Sequence, residues 1–354
     1  MTGRTGDPSD VGSVLDKYAR GVKIIIEGAQ ANTGQTPKEI IWSKNKAKLY
    51  HYQADAEKKH PIPILFIYAL LNRPYCLDLM PGNSFIEFLV SEGFDVYMLD
   101  WGIPGDEDSD LTFENYVLDY MPRAVRKVLR HSRVEELTLF GYCQGGVMAA
   151  MYASLLPEGL KNLILLASPI DCAPENSGLY GRWFSEKNHD PDVIVNTYGS
   201  LPADFAYTGT AMLNPVTNYI GTHMTMWDLI SQDKINASWL AMNKWANDPI
   251  PMPGAAYKQW VEDFYQHNRL VKGEIKLRGR RVDLSNIEIP LLNIAGEKDH
   301  LVLLPQVEAV MDLVGSEDKE FLVLDAGHVG LLTGRRAKKD LWPRVQSWLE
   351  SRSA

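Results

Sequence analysis

Three side chains far apart in the sequence, Cys143, Asp299 and His328, have the types and order needed for covalent acyl chemistry. Cys143 sits in Gly141-Tyr142-Cys143-Gln144-Gly145-Gly146. An apolar run at 137–140 leads into this segment and a helix-prone run at 147–156 leads out. A glycine-flanked nucleophile between strand and helix describes a strained turn that lifts its side chain above a sheet. Gly141, Gly145 and Gly146 suit such a turn because a missing Cβ lets neighbouring chain pack closely. The helix N-terminus beneath the sulfur would stabilise negative charge there. Free cysteines commonly pack as small hydrophobes. The paired glycines and the strand-to-helix setting distinguish this one.

A cysteine nucleophile needs a base within hydrogen-bond reach and a third group to orient that base. In enzymes built on this turn, the acid follows the nucleophile and the histidine comes last. Of eight histidines, only His300 and His328 follow the late strand at 291–295. His328 lies in Asp325-Ala326-Gly327-His328-Val329-Gly330, just past the last strand, and is the preferred base. Asp299 follows the strand at 291–295 through Gly296-Glu297-Lys298 and is the preferred acid, with Asp325, Asp171 and Asp100 as rivals. Asp100 better suits anchoring the Asp100-Trp101-Gly102 turn. An oxyanion would need two backbone donors: Gln144 N–H and one from the loop after residues 64–68, at Ala69, Leu70 or Leu71. Asn72 and Arg73 follow and could shape an entrance, although Arg73 suits a plain surface role equally well.

Cysteine also narrows the reaction. Attack of a thiol on an acyl thioester exchanges one thioester for another at nearly no free-energy change, so the acyl group stays activated. Transfer to an alcohol then gives the more stable oxoester. Serine would release that energy in the first step. Cysteine therefore suits transfer from a thioester donor to an ester product, while cysteine-dependent hydrolysis stays open.

The elements that must hold these residues are legible around them. At 354 residues, with 45% hydrophobic and 23% charged residues, the chain can build two ordinary domains or one large α/β domain with an insertion. Short apolar strands are expected at 48–52, 64–68, 94–99, 137–140, 163–167, 291–295 and 321–324, as in a mostly parallel sheet buried on both faces. Helical periodicity spans 113–131, capped by Asp110 or Thr112 and kinked or split by Pro122. The alternation implies a doubly wound sheet. Residues 1–37 read as a polar N-terminal segment with one candidate helix at 15–26. Residues 38–173 and 287–354 form the expected core. Residues 174–286 break the pattern, carrying Trp183, Trp227, Trp239, Trp245 and Trp260 with Met212, Met224, Met226, Met242 and Met252. They read as a largely helical cap over the turn. The net charge of −9 argues against nucleic acid, but leaves room for a local basic mouth. No run approaches a membrane span and no signal peptide is evident. Cys76, Cys143 and Cys172 suggest reduced thiols in a cytoplasmic setting, and no Cys/His cluster has metal-ligand spacing.

The chain resembles the polyhydroxyalkanoate synthases from about residue 37 to the end. The segment 141–146 matches their G-x-C-x-G-G box. Residues 68–75, Asp78-Leu79-Met80-Pro81-Gly82-Asn83-Ser84, Asp100-Trp101-Gly102, Asp263-Phe264-Tyr265-Gln266, Asp299-His300 and Gly327-His328 resemble further blocks. Ala326, where many members have glycine, and Leu303-Leu304, in place of a frequent proline, are departures. The resemblance implies an α/β-hydrolase fold and Cys143, Asp299 and His328 as catalytic residues. It implies polymerisation of (R)-3-hydroxyacyl-CoA, most simply 3-hydroxybutyryl-CoA, with release of CoA. Its CoA thioester is substrate, and no bound cofactor or metal is expected. Partners implied are the growing polyester chain and an accessory subunit. That subunit would be small, helical and PhaR-like for the class IV type, favoured by residues 178–181 and 270–274, or PhaE-like for class III. Homo-oligomerisation is left open. Location at the surface of cytoplasmic polyester granules follows from the same resemblance. Two other functions stay open: a cysteine-nucleophile thioesterase or polyester hydrolase, and a non-catalytic granule scaffold.

Overall fold

A computed structural model describes residues 31–53, 58–213 and 237–353, together with Ala19 and Gly21. The expected helix at 15–26, those two positions apart, lies outside the described residues, as do Met224, Met226 and Trp227.

Eight strands form one sheet: β1 (Lys38–Lys44), β2 (Ala47–Tyr52), β3 (Ile64–Ile67), β4 (Val96–Asp100), β5 (Leu137–Tyr142), β6 (Leu160–Leu166), β7 (Leu291–Gly296) and β8 (Lys319–Leu324). Their spatial order is β1-β2-β4-β3-β5-β6-β7-β8. β2 runs antiparallel to β1 and β4, and the remaining pairs are parallel. The chain winds outward from β3 in one direction through β4 and in the other through β5. Such a switch point opens a crevice at the strands' C-terminal ends, where ligands bind in open α/β sheets. Cys143 follows β5 and Ala69 follows β3 by two residues, so both belong to that crevice.

The sheet is covered on both faces, so β3 and β5 are buried along their whole length, and Thr138 is the one polar interruption apart from the Tyr142 hydroxyl. The two-residue period divides them cleanly. Leu65, Ile67, Leu137 and Leu139 face one core with α2 (Met121–Ser132) and α3 (Gln144–Leu155). Ile64, Phe66 and Phe140 face the other with α1 (Phe85–Ser91) and α4 (Trp342–Glu350). Every residue of α3 is buried, so the helix that follows the nucleophile turn is fixed from all sides.

Two prolines are accommodated in the same way. Over 113–132 the helix begins at Thr112, whose N–H and hydroxyl both bond Asn115 Oδ1 at 2.9 Å. A widened π turn at Tyr116–Tyr120 then precedes Pro122 in the first turn of α2. A second π turn at Ala337–Leu341 precedes Pro343 in α4. Proline has no N–H to donate, and the wider turn absorbs the missing bond.

Between β6 and β7 lie helices at Gly178–Trp183, Pro191–Tyr198, Ala203–Ala211, Ala237–Ala246 and Gly254–Gln259, the last continuing as a π turn at Trp260–Gln266. The later part of this stretch is integral to the main core. Trp260 and Phe264 pack on Phe113, with ring centroids 5.8 and 5.2 Å apart. Gln259 Oε1 also accepts from Phe113 N–H at 2.9 Å. Among the described residues, no helix is long and apolar enough to cross a membrane. Because Phe113 is 1% exposed and ties core to insertion, Phe113→Ala is expected to cost about 3–5 kcal/mol. Denaturant unfolding followed by fluorescence would measure that loss.

Candidate active site

The turn after β5 is held in a conformation that side chains resist. Cys143 has φ 54° and ψ −128°, a sparsely populated region that persists only when surroundings impose it. They do so here. Cys143 N–H donates to the Leu166 carbonyl at 2.9 Å, and Gly146 N–H donates to the Cys143 carbonyl at 2.9 Å. The flanking glycines are required by space. A Cβ at Gly145 would stand 2.2 Å from the Ile67 carbonyl oxygen, one at Gly146 1.7 Å from Ser168 Oγ, and one at Gly141 2.4 Å from the Gly146 Cα. The thiol is partly exposed at the crevice, whereas Cys76 and Cys172 are fully buried. Burial pushes the Cys76 thiol up to about 12 and raises that of Cys172 as well.

Asp299 and His328 meet across two loops. His328 Nδ1 donates to Asp299 Oδ2 at 2.7 Å. The other carboxylate oxygen accepts the Leu301 and Val302 N–H groups at 2.8 and 2.9 Å, so the acid is aimed by backbone. Asp299 is completely enclosed and His328 nearly so, with side-chain exposures of 0% and 10%. The loops cross so closely that a Cβ at Gly296 would lie 2.4 Å from the Ala326 carbonyl oxygen. Ala326 needs no special backbone conformation, since its φ is not positive, so replacing a glycine there costs no strain. Burial opposes charge on the His328 ring. The Asp299 carboxylate and the Cys143 sulfur outweigh it and raise the pKa from 6.5 to about 10. Of the rivals, Asp325 pairs with Lys298 and Arg336 at the surface. Asp100 accepts the Gly102 N–H at 2.9 Å. Asp171 binds Asn176 and Asn268 at 2.7 and 2.8 Å.

Tyr142, a site residue that the sequence did not single out, backs the imidazole. Its ring centroid is 5.0 Å from that of His328, and its hydroxyl donates to the His328 carbonyl at 3.4 Å. Only its place beside Cys143 hinted at a role. A second unanticipated contact corrects the expected oxyanion donors. Gln144 Oε1 accepts the Leu70 N–H at 3.0 Å. Leu70 is therefore committed to bracing the turn, leaving the Ala69, Leu71 and Gln144 N–H groups as candidates. The Leu71 carbonyl accepts Ile250 N–H at 3.3 Å, which ties this loop to the insertion without engaging the Leu71 N–H.

The same loop is gripped by the insertion. Trp245 Nε1 donates to the Arg73 carbonyl at 2.8 Å, and Tyr75 hydroxyl donates to Asp248 at 2.9 Å. Arg73 lies 3.8 Å from Asp248, so it faces the insertion rather than open solvent. Asn72 forms an isolated bridge with Pro249. Among the described residues, one grouping has ligand-type atoms close enough to hold a metal ion: Glu39, His51 and His131. It lies on β1, β2 and α2, and both His51 ring nitrogens already meet carboxylates, Glu39 at 3.3 Å and Asp95 at 2.9 Å.

Residues 62–335 match the α/β-hydrolase fold model, and residues 28–89 match that of the poly-beta-hydroxybutyrate polymerase (PhaC) N-terminus. A poly(3-hydroxyalkanoate) polymerase subunit PhaC of Synechocystis sp. is 36% identical over 90% of this chain and 85% of its own length. The corresponding subunit of Allochromatium vinosum is 33% identical over 95% of this chain and 94% of its own. The chain belongs to the poly(3-hydroxyalkanoate) polymerase PhaC family. A longer PhaC relative from Haloferax mediterranei is 38% identical, and the chain spans 66% of its length. Solved structures share the fold alone. A putative non-heme bromoperoxidase of Mycobacterium tuberculosis gives a TM-score of 0.54 at 14% identity, covering 88% of this chain and 98% of that one. A putative lipase of Sulfolobus solfataricus gives 0.54 at 15%, covering 90% and 97%.

The Asp299 charge leads to a direct test. Removing it by Asp299→Asn takes away an anion that favours imidazolium, so the His328 titration midpoint should fall. In an NMR titration of the ring, the wild-type midpoint should lie well above 6.5 and the variant's far lower. Coincident midpoints would contradict the assignment of Asp299 as the group that holds the proton.

Proposed function

We propose that this chain polymerises (R)-3-hydroxyacyl-CoA, most simply 3-hydroxybutyryl-CoA, into polyhydroxyalkanoate with release of CoA. Membership in the polymerase family supports the reaction class. The observation that carries the mechanism is a partly exposed thiol on a strained turn, beside a buried imidazole bonded to Asp299 at 2.7 Å.

In the first half-reaction the Cys143 proton resides on His328 Nε2, and the sulfur attacks the thioester carbonyl. The carbonyl oxygen gains negative charge between the Gln144 N–H and that of Ala69 or Leu71. The carbon–sulfur bond to CoA breaks, and His328 returns a proton to the departing thiolate. A raised imidazolium pKa suits this step, because the ring keeps its proton until a strong base appears. Once acylated, Cys143 carries no charge, so one of the influences holding that proton is gone. The neutral ring then takes the proton of a chain or monomer hydroxyl, whose oxygen attacks the acyl-cysteine and expels the sulfur. One ester bond forms and one thioester bond breaks in each cycle.

Cys76 and Cys172 are buried, which favours a single working thiol per chain. An accessory subunit, PhaR-like or PhaE-like, and residence at the polyester granule surface belong to the same proposal. The insertion's grip on the Ala69–Tyr75 loop supports a cap that governs entry, because moving it would disturb a candidate oxyanion donor.

Incubation with 3-hydroxybutyryl-CoA, with and without a candidate subunit, should release CoA and yield polymer. Free hydroxy acid as the sole product would favour a hydrolase instead. Cys143→Ala should abolish CoA release while leaving the fold intact. Asp299→Asn should lower kcat by about 10³–10⁴, the usual penalty for a disoriented catalytic histidine. Wild-type CoA release from Cys143→Ala would overturn the proposal.

A further inference from the structure

An acidic protein that consumes CoA thioesters must still receive a ligand bearing several phosphate charges. A groove of about 500 Å³ lies outside the triad, lined among others by Asn83, Ser238, Gly334, Arg335, Lys338 and Lys339. Three cations share it, within a chain of net charge −9. They are not equivalent. Lys338 donates to the Gly82 carbonyl. Neighbouring Arg336, outside the groove, is neutralised by Asp325. Arg335 and Lys339 are exposed, and among the described residues neither has a carboxylate within ion-pair distance. Cations left unneutralised around one concavity form an anion site by ordinary electrostatics.

The groove is built rather than incidental. Asn83 is 5% exposed and joins its walls: its Nδ2 donates to Ser238 Oγ at 3.0 Å, and its Oδ1 accepts the Gly334 N–H at 2.9 Å. Ser238 belongs to the insertion and Gly334 to the segment carrying His328. Gly334 lies six positions along the chain from His328, so their Cα atoms are within about 22 Å of each other even on extended chain. The 3₁₀ turn at Val329–Leu331 shortens that span. Met80 lines the groove and also belongs to the apolar group containing Met242, Val329 and Cys143. Met80 and Cys143 thus border the same apolar core.

We propose that this groove binds the phosphate-bearing nucleotide end of the CoA thioester, with Arg335 and Lys339 as the principal contacts. The pantetheine arm then extends from the Met80 side of the groove towards Cys143. The inference rests on the acyl-CoA reading above and adds the residues that recognise the coenzyme. It also explains how an acidic chain attracts an anionic substrate.

The test compares the Arg335→Gln/Lys339→Gln double variant with wild type on two substrates. One is 3-hydroxybutyryl-CoA, and the other is the 3-hydroxybutyryl thioester of pantetheine, which lacks every phosphate. For the CoA thioester, KM should rise at least about tenfold with kcat nearly unchanged, since charge-assisted contacts remote from the reacting carbonyl contribute uniform binding. Turnover of the pantetheine thioester should not change. Equal losses on both substrates, or an unchanged KM for the CoA thioester, would overturn the assignment. Calorimetric binding of free CoA separates this proposal from the polymerase reading, because it needs no turnover. Binding at least about tenfold weaker in the double variant supports the groove even if no polymer forms. Equal affinity, or no CoA binding to wild type, rejects it.

Discussion

The close approach of the Cys143 turn to the end of β3 is the constraint on which the site depends. Gly145 lies so near the Ile67 carbonyl that even a methyl group would collide with it. The strained residue, the buried helix behind it and the loop carrying Ala69 are therefore fixed relative to one another. Gln144 completes this arrangement by receiving the Leu70 N–H, so one residue both starts α3 and braces the neighbouring loop. On the proposed mechanism a rigid frame matters because a nucleophile and its oxyanion donors must be set before charge develops, when reorganisation would add to the barrier.

The second half of the site is assembled differently. Asp299 and His328 lie on loops after β7 and β8, which are parallel neighbours at the sheet's far edge. Gly296 lets those loops cross, and the backbone donors at Leu301 and Val302 aim the carboxylate. Tyr142 links the halves by packing on the imidazole from the position before Cys143. In this arrangement the choice of sulfur over oxygen has a thermodynamic reason. On the proposed mechanism, a thioester on Cys143 would keep the energy of the incoming thioester until an alcohol arrives.

Much of this was readable from residue order. The glycines around Cys143, and the placement of Asp299 and His328 after late apolar runs, identified the residues that the fold gathers at the strands' C-terminal ends. Long-range contacts between ordinary-looking residues were not readable. Nothing in the sequence marks Leu70 N–H as the partner of Gln144, or Tyr142 as the support of His328. β1 escaped notice because it is an edge strand with a bulge between Ile40 and Trp42, which blurs the two-residue period. The kink or split expected at Pro122 takes the form of a π turn just before the proline, where a wider turn relieves the missing hydrogen bond. The tryptophan-rich stretch 174–286 read as a cap, yet Trp260 and Phe264 pack on Phe113 in the main core. Composition cannot separate a lid residue from a core residue, because both must bury apolar surface.

The central claim is that the acyl group passes through the Cys143 sulfur. Rapid mixing with 3-hydroxybutyryl-CoA, acid quenching and peptide mass mapping would test it most directly. The account predicts a hydroxybutyryl adduct on the peptide containing Cys143, formed before polymer appears and labile to hydroxylamine. An adduct on Cys76, Cys172 or a serine instead, or CoA release with Cys143 unmodified at every time point, would contradict it.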